Sequence, residues 1–374
     1  MAHTKHHRNW GTPPWTIDFT PPAQPLPRQL DVAVIGGGFT GLAAAAWLRR
    51  IAPEKSLAVF EAARIGSGAS GRTGGMVLGE TAGGDLPGLG DVLAGFTKIL
   101  SDLEIECDLV LNGAWEIGRS PASVRSPISW QDSGTLRVVK NVPGGTIDPG
   151  KLVSGLARAA DGRGAILCEN SRVSKISWGE TIQLEVGSSQ VRAEQVLFAT
   201  NAMELDASGL ARFAQPKFTM AVASGPLEDS QLEAIGLGER KPFYTVDLPY
   251  LWGRVMRGHE IVWGAGLVHL DDWRELEGID VLKGEPGRLV QLVETRIRGL
   301  HPALHSVELT HRWGGPILVA DSWQPVFSRH PRSQNAIVLG AYAGHGVALS
   351  VYLGCWAAEA LVGRRELPKW GKIK

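Results

Sequence analysis

Cysteine is scarce in this chain. Cys107, Cys168 and Cys355 are far apart, odd in number and form no C-x-x-C pair, which argues against a disulfide framework or a zinc site and for reduced thiols. Long apolar runs are missing too. The longest helix-like one, residues 42–48, falls far short of the ~20 residues that span a bilayer. No signal-peptide core follows the polar start at residues 1–10, which carries His3, Lys5, His6, His7 and Arg8. Neither charge sign dominates, with 38 Lys and Arg against 38 Asp and Glu, so no field draws nucleic acid or an anionic membrane. The expectation is a cytoplasmic protein with neither as partner. No metal is expected: His6, His7, His259, His269, His301, His305, His311 and His330 lack ligand spacing on a single element. There is no G-x-S-x-G elbow, Walker lysine motif, internal repeat or low-complexity tract.

At 374 residues the chain is too long for one simple core, and two domains are expected. Its 47 glycines fall in short clusters, as suits a backbone that approaches a ligand in several places. Residues 11–30 hold Pro13, Pro14, Pro21, Pro22, Pro25 and Pro27, so this stretch reads as an extended lead-in, pinned by Trp10, Trp15 and Phe19. A strand at 31–35, a helix at 42–50 and a strand at 56–60 form one βαβ unit. Asp148-Pro149 is an N-cap and first-turn pair for a helix to about 160. Strands follow at 165–167 and 173–177, a hairpin at 182–186 and 190–193, and a strand at 195–199. Strands at 219–224, 243–246 and 260–263 and a helix at 287–299 form a different texture. The end reads strand 336–340, glycine turn, helix 347–361.

The motif Gly36-x-Gly38-x-x-Gly41 follows the first strand and opens the first helix, and Glu61 lies 20 residues beyond Gly41. Gly36 permits the tight turn, Gly38 lets backbone reach a pyrophosphate, and Gly41 lets helix and strand close. The helix start, with Phe39 and Thr40, offers N–H groups to phosphate, and Glu61 suits a ribose. A nicotinamide site needs little more, whereas FAD also needs a surface for its ribityl chain and ring. Arg64 and then Gly68-Ala69-Ser70-Gly71-Arg72-Thr73-Gly74-Gly75 supply one. Thr200-Asn201 ends a strand, and Gly344-His345-Gly346-Val347 opens the last helix, whose N-terminus suits negative charge on a reduced flavin. Four such segments favour FAD over NAD.

Together the G-G-G-F-T-G start, the G-A-S-G-R-T-G-G loop, the helix after Thr146-Ile147-Asp148-Pro149, the A-T-N-A strand end and the terminal G-A-Y-A-G-H-G-V resemble the D-amino-acid-oxidase-like superfamily of FAD-dependent oxidoreductases. The likeness covers about residues 30–361. The glycine loop is similar to that of the gamma-glutamylputrescine oxidase-like branch, which usually has Asn at the place of Thr73. The resemblance implies an α/β fold: a discontinuous Rossmann-like FAD-binding domain (30–112, 148–208, 313–374) and an α+β substrate domain with a mostly antiparallel sheet (113–147, 209–312), after the lead-in 1–29. It extends the cofactor contacts to Ala62, Met76, Val173 and Gly340. It also implies oxidation of a C–N bond of a primary or secondary amine by hydride transfer to flavin N5. The imine then hydrolyses, and oxygen or another electron acceptor takes the electrons.

Relatives that oxidise sarcosine or glycine clamp a carboxylate with basic residues. A hand alignment puts Val77, Gly315 and Ala348 at those places, which points to an amine without a clamped α-carboxylate. The covalent flavin cysteine of sarcosine oxidases falls near Gly315 or Pro316, implying non-covalent FAD. Their oxygen-activating lysine falls near Val262, which leaves a dehydrogenase open. On the substrate side Trp252, Trp263, Trp313, Tyr250 and Tyr342 are candidates for an aromatic cage around an amine, beside His345, Arg254 and Arg312. Two rival readings are an amino-acid oxidase or dehydrogenase with Arg254 or Arg312 as a relocated clamp, and a non-catalytic FAD-binding protein.

Overall fold

The computed structural model describes residues 8–120 and 125–373; His3, Lys5, His6 and His7 lie outside the described residues. Two large sheets organise the chain. At the centre of the first, strand Gln29–Ile35 runs parallel to Leu57–Phe60 on one side and to Ser189–Phe198 on the other. Ser333–Gly340 extends the sheet in parallel beyond Ser189–Phe198, and Ile166–Cys168 does so beyond Leu57–Phe60. The alternation of a strand buried on both faces shows directly. From residue 32 on, Val32 and Val34 pack with the helices, whereas Ala33 and Ile35 belong to the core on the opposite face. Helix Phe39–Ile51 packs between Pro149–Asp161 and Gly346–Leu361 on that helical side.

Several elements follow the sequence pattern within a residue or two. Helix Pro149–Asp161 is capped as its sequence implies, the Asp148 carboxylate accepting from Lys151 N at 2.9 Å. Two differ. The runs expected at 190–193 and 195–199 are one strand, Ser189–Phe198. Its first part pairs antiparallel with Ile182–Val186 and its remainder parallel with the central strand. One backbone serves both the hairpin and the parallel sheet, so nothing breaks at Glu194. Helix Val92–Asp102, not read from the sequence, starts at Asp91, whose side chain accepts from Ala94 N at 2.9 Å.

The second sheet is ordered Leu309–Ala320, Ala214–Ser224, Ile261–His269, Leu251–Val255, Phe243–Thr245, Ala114–Arg119, Thr135–Val142, Trp130–Gln131. It is antiparallel except where Phe243–Thr245 meets Ala114–Arg119. Leu309–Ala320 lies wholly in this sheet, so a division at 313 cuts a strand; the chain leaves the sheet after Ala320. Behind the sheet, Trp263 packs with Trp130 and Phe243, its ring centre 5.4 Å and 5.2 Å from theirs, and is fully buried. Among the described residues no helix is long and apolar enough to cross a membrane.

Trp263 therefore stands as core, and Trp263→Ala is expected to lower the unfolding free energy by about 3–5 kcal/mol through lost contacts and a cavity. Denaturant unfolding of the apoprotein checks this. A change below about 1 kcal/mol would show that the aromatic cluster does not carry the sheet.

Candidate cofactor and substrate site

Between the two sheets lies a cavity of about 1110 Å³, above the roughly 300–1,000 Å³ of an ordinary ligand pocket. Gly36, Gly38, Phe39 and Thr40 line it where the central strand turns into the first helix. Gly36 has φ +112, a backbone state costly for any other residue. Gly41 does not line the cavity. A Cβ there would stand 2.0 Å from the Gly36 carbonyl oxygen, so glycine is needed for helix and turn to close. Glu61 lines the cavity beside Ala62 and Val173. Its Oε2 accepts from Gly37 N at 2.8 Å and its Oε1 from Ala63 N at 2.9 Å. Burial raises its pKa, against these backbone donors and the charge of Arg8.

Gly68, Ala69, Ser70, Arg72, Thr73, Gly74 and Met76 line the next part. Their loop is held from behind. Trp15 Nε1 donates to Gly71 O at 2.8 Å, Trp313 Nε1 to Arg72 O at 2.9 Å, and Arg254 Nε to Gly74 O. These three donors fix the loop backbone at Gly71, Arg72 and Gly74. Gly75 and Arg64 lie outside the lining. Gly74 admits a wedge: a Cβ there would stand 2.1 Å from the Trp252 ring, and one at Gly264 1.9 Å from it.

Two expected substrate residues are corrected. Trp263 faces the core behind the sheet. Arg254 is buried behind the glycine loop with Nη2 unpartnered, and burial pushes its pKa down to about 10; it does not line the cavity. Arg312 is also outside the lining and pairs with Glu294 at 2.5 Å. Trp252, Tyr250, Trp313, Tyr342 and His345 do line the cavity.

The third wall comes from the chain's last turn. Helix Gly346–Leu361 starts at the cavity with no acidic residue in its first turn, so its dipole is open to negative charge. Gly344, Gly346 and Val347 line the cavity; Gly340 does not, and packs against Asn201. Asn201 Oδ1 accepts from Ala341 N at 3.0 Å and so ties the loop to the strand end. Tyr342 OH and Thr40 Oγ1 are 2.7 Å apart; burial raises the phenol pKa, and Thr40 partly opposes this.

The donor set fits FAD. Two helix N-termini free of acidic residues meet at one cavity. Thr200 Oγ1, buried and without a partner, lines it. Arg72 reaches it with no carboxylate within 4.0 Å among the described residues. None of the three cysteines lines it. Of the hand-aligned clamp positions, Gly315 lines the cavity and the other two do not. Val77 and Ala348 are buried in the helical core, while their neighbours Met76, Leu78 and Val347 face the cavity, all uncharged. Sequence reading missed Arg8, Glu80, Glu116, Lys217 and Tyr244, which also line it; nothing local marks them, because long-range pairing brings them there.

Asn201→Ala frees the last loop and is expected to weaken FAD binding about tenfold, read by titrating apoprotein with FAD and following flavin fluorescence. An unchanged dissociation constant would show that the tie to Ala341 does not shape the site.

Comparison with known proteins agrees with this geometry. The chain is 26% identical over 388 residues to a probable oxidoreductase OrdL of Rhizobium meliloti, covering 92% of this chain and 85% of that one. It is 26% identical over 378 residues to the gamma-glutamylputrescine oxidoreductase of Escherichia coli, covering 90% and 84%. Among solved structures it resembles glycine oxidase from Geobacillus kaustophilus, with TM-score 0.70, 19% identity and 91% and 96% of the two chains covered. It likewise resembles L-proline dehydrogenase from P. horikoshii, with TM-score 0.71, 17% identity and 92% and 96% covered. The family model for FAD dependent oxidoreductase, DAO, matches residues 31–360, and with the dinucleotide turn, the glycine loop and the last helix meeting at one cavity, the chain belongs to that family of FAD-dependent oxidoreductases.

Proposed function

We propose that the protein oxidises a C–N bond of a primary or secondary amine whose carbon carries no clamped carboxylate, with FAD held non-covalently. The observation that carries this reading is the wall opposite the dinucleotide turn. Trp252, Tyr250 and Tyr244 line it with the carboxylates Glu80 and Glu116, and neither Arg254 nor Arg312 reaches it. Tyr244 OH donates to Glu80 at 2.6 Å and lies 3.2 Å from Glu116 Oε1. Aromatic faces and carboxylates attract a cation; they repel a free carboxylate.

Bound FAD supplies the two-electron acceptor for the C–N oxidation. The chain's residues orient the amine and exclude water. The Trp252 ring, wedged between Gly74 and Gly264, cannot swing, so it presents a fixed face near the flavin loop. Glu80 favours approach of a charged amine, whereas Glu116 is already paired with Lys140 at 3.3 Å. His345 lines the cavity, and its Nδ1 lies 3.2 Å from Ala343 O, which orients the ring at the start of the last helix.

One observation favours a second reading. Lys217 lines the same wall and has no carboxylate within 4.0 Å among the described residues, so its ammonium is available to a substrate carboxylate. An amino acid held there is the alternative.

Anaerobic mixing of the holoenzyme with a panel of mono- and diamines, sarcosine, glycine, proline and D-amino acids separates the two. The proposal expects flavin bleaching by amines, with Lys217→Met leaving it within about threefold and Glu80→Gln raising the amine KM about three- to tenfold. Bleaching by amino acids alone, abolished in Lys217→Met, establishes the second reading. Flavin that stays oxidised with every compound contradicts both.

A further inference from the structure

The segment ahead of the first strand is more than a lead-in. Asn9 N donates to Ile279 O at 2.9 Å, and Val281 N to Asn9 O at 2.8 Å. Trp10 is buried; its Nε1 donates to Leu276 O at 2.9 Å and its carbonyl accepts from Gly314 N at 2.8 Å. Further along, Trp15 donates to Gly71, and Ile17 lies against Gly66 and Gly71. Arg158 Nη2 reaches the Asp18 carboxylate at 2.9 Å. Residues 9–18 thus form a strap fastened to the second sheet, to the back of the glycine loop and to helix Pro149–Asp161.

The strap fixes the place of Arg8. Its guanidinium carbon stands 4.4 Å from the centre of the Trp10 ring, and that of Arg72 stands 5.5 Å from the same ring. Arg72 Nη1 donates to Trp10 O at 3.2 Å and to Gly11 O at 2.8 Å. Both arginines line the cavity, and the charge of Arg8 acts on the Glu61 carboxylate. Neither has a carboxylate within 4.0 Å among the described residues. Burial, and then the charge of Arg8, push the Arg72 pKa down to about 10. Arg72 is part-buried and unpaired, and the exposed Arg8 stands over the same indole, so an anion held between them and the helix N-terminus would relieve their mutual repulsion. Arg172, which lines the same end, is already paired with Glu204 at 2.7 Å and Glu277 at 3.2 Å.

We propose that Arg8, delivered by the residue 9–18 strap, is a cofactor-binding residue that shares the diphosphate of FAD with Arg72. The first-strand turn supplies backbone N–H groups from one side, and Arg8 closes the site from the other. The inference concerns cofactor binding and stands apart from the choice of substrate.

The test uses apoprotein of the full chain titrated with FAD at low and high salt, with the thermal midpoint of each apoprotein measured alongside. Arg8→Ala and Arg8→Gln are both expected to weaken FAD binding about ten- to a hundredfold at low salt. Their salt dependence should be shallower than the parent's, because one ionic contact is gone. Arg8→Gln keeps most of the side chain over Trp10, so it answers the question if Arg8→Ala folds poorly. Parental FAD affinity in Arg8→Gln overturns the proposal, with or without a lower thermal midpoint. So does a weakened affinity that keeps the parent's full salt dependence, since the lost contact is then not ionic.

Discussion

Three N–H donors hold the backbone of one glycine loop, and the site rests on them. Trp15, Trp313 and Arg254 take the carbonyls of Gly71, Arg72 and Gly74. They come from the strap and from two different strands of the second sheet. A loop this rich in glycine loses much conformational entropy when ordered. Hydrogen bonds from rigid, buried donors offset that loss before any ligand arrives. The same donors join the two sheets, so the geometry of the cofactor loop and the relative placement of the sheets are one constraint.

Other features depend on this arrangement. Because Gly74 has no side chain, Trp252 lies against the loop; because Gly264 has none, the ring also lies against its own sheet. Arg254 spends its charge behind the loop and is lost to substrate binding. What remains on the open wall is aromatic and acidic, with Lys217 beside it and Lys140 paired to Glu116.

Much of the dinucleotide half was legible in the sequence, because its chemistry is local. Gly36, Gly38 and Gly41 sit on one turn, and Glu61 sits at the end of the next strand. The substrate half was less so, since a strand buried on both faces gives no alternation to tell its sides apart. Trp252 and Trp263 are alike in sequence, yet one faces the cavity and the other the core. Val77 shows how a one-residue slip on a strand moves a side chain to the opposite face, and Ala348, next to Val347 on a helix, is turned about 100° away from it; Met76, Leu78 and Val347 line the cavity, and all are uncharged. The strap was read only as an extended segment pinned by aromatics. Its contacts to Leu276, Ile279 and Gly314 span most of the chain and leave no local mark.

The central claim is that the glycine loop is ordered by the protein itself and receives FAD ready-made. Hydrogen exchange of the segment 66–75 in apoprotein tests it most directly. Within that loop Gly66 N donates to Gly37 O, Ser67 N to Arg64 O, Gly71 N to Gly66 O and Arg72 N to Ala69 O, so ordering is read as slow exchange at those amides. The account predicts protection in the apoprotein, changed little by added FAD. Exchange at the rate of an unstructured chain in the apoprotein, with protection only after FAD binds, would contradict it.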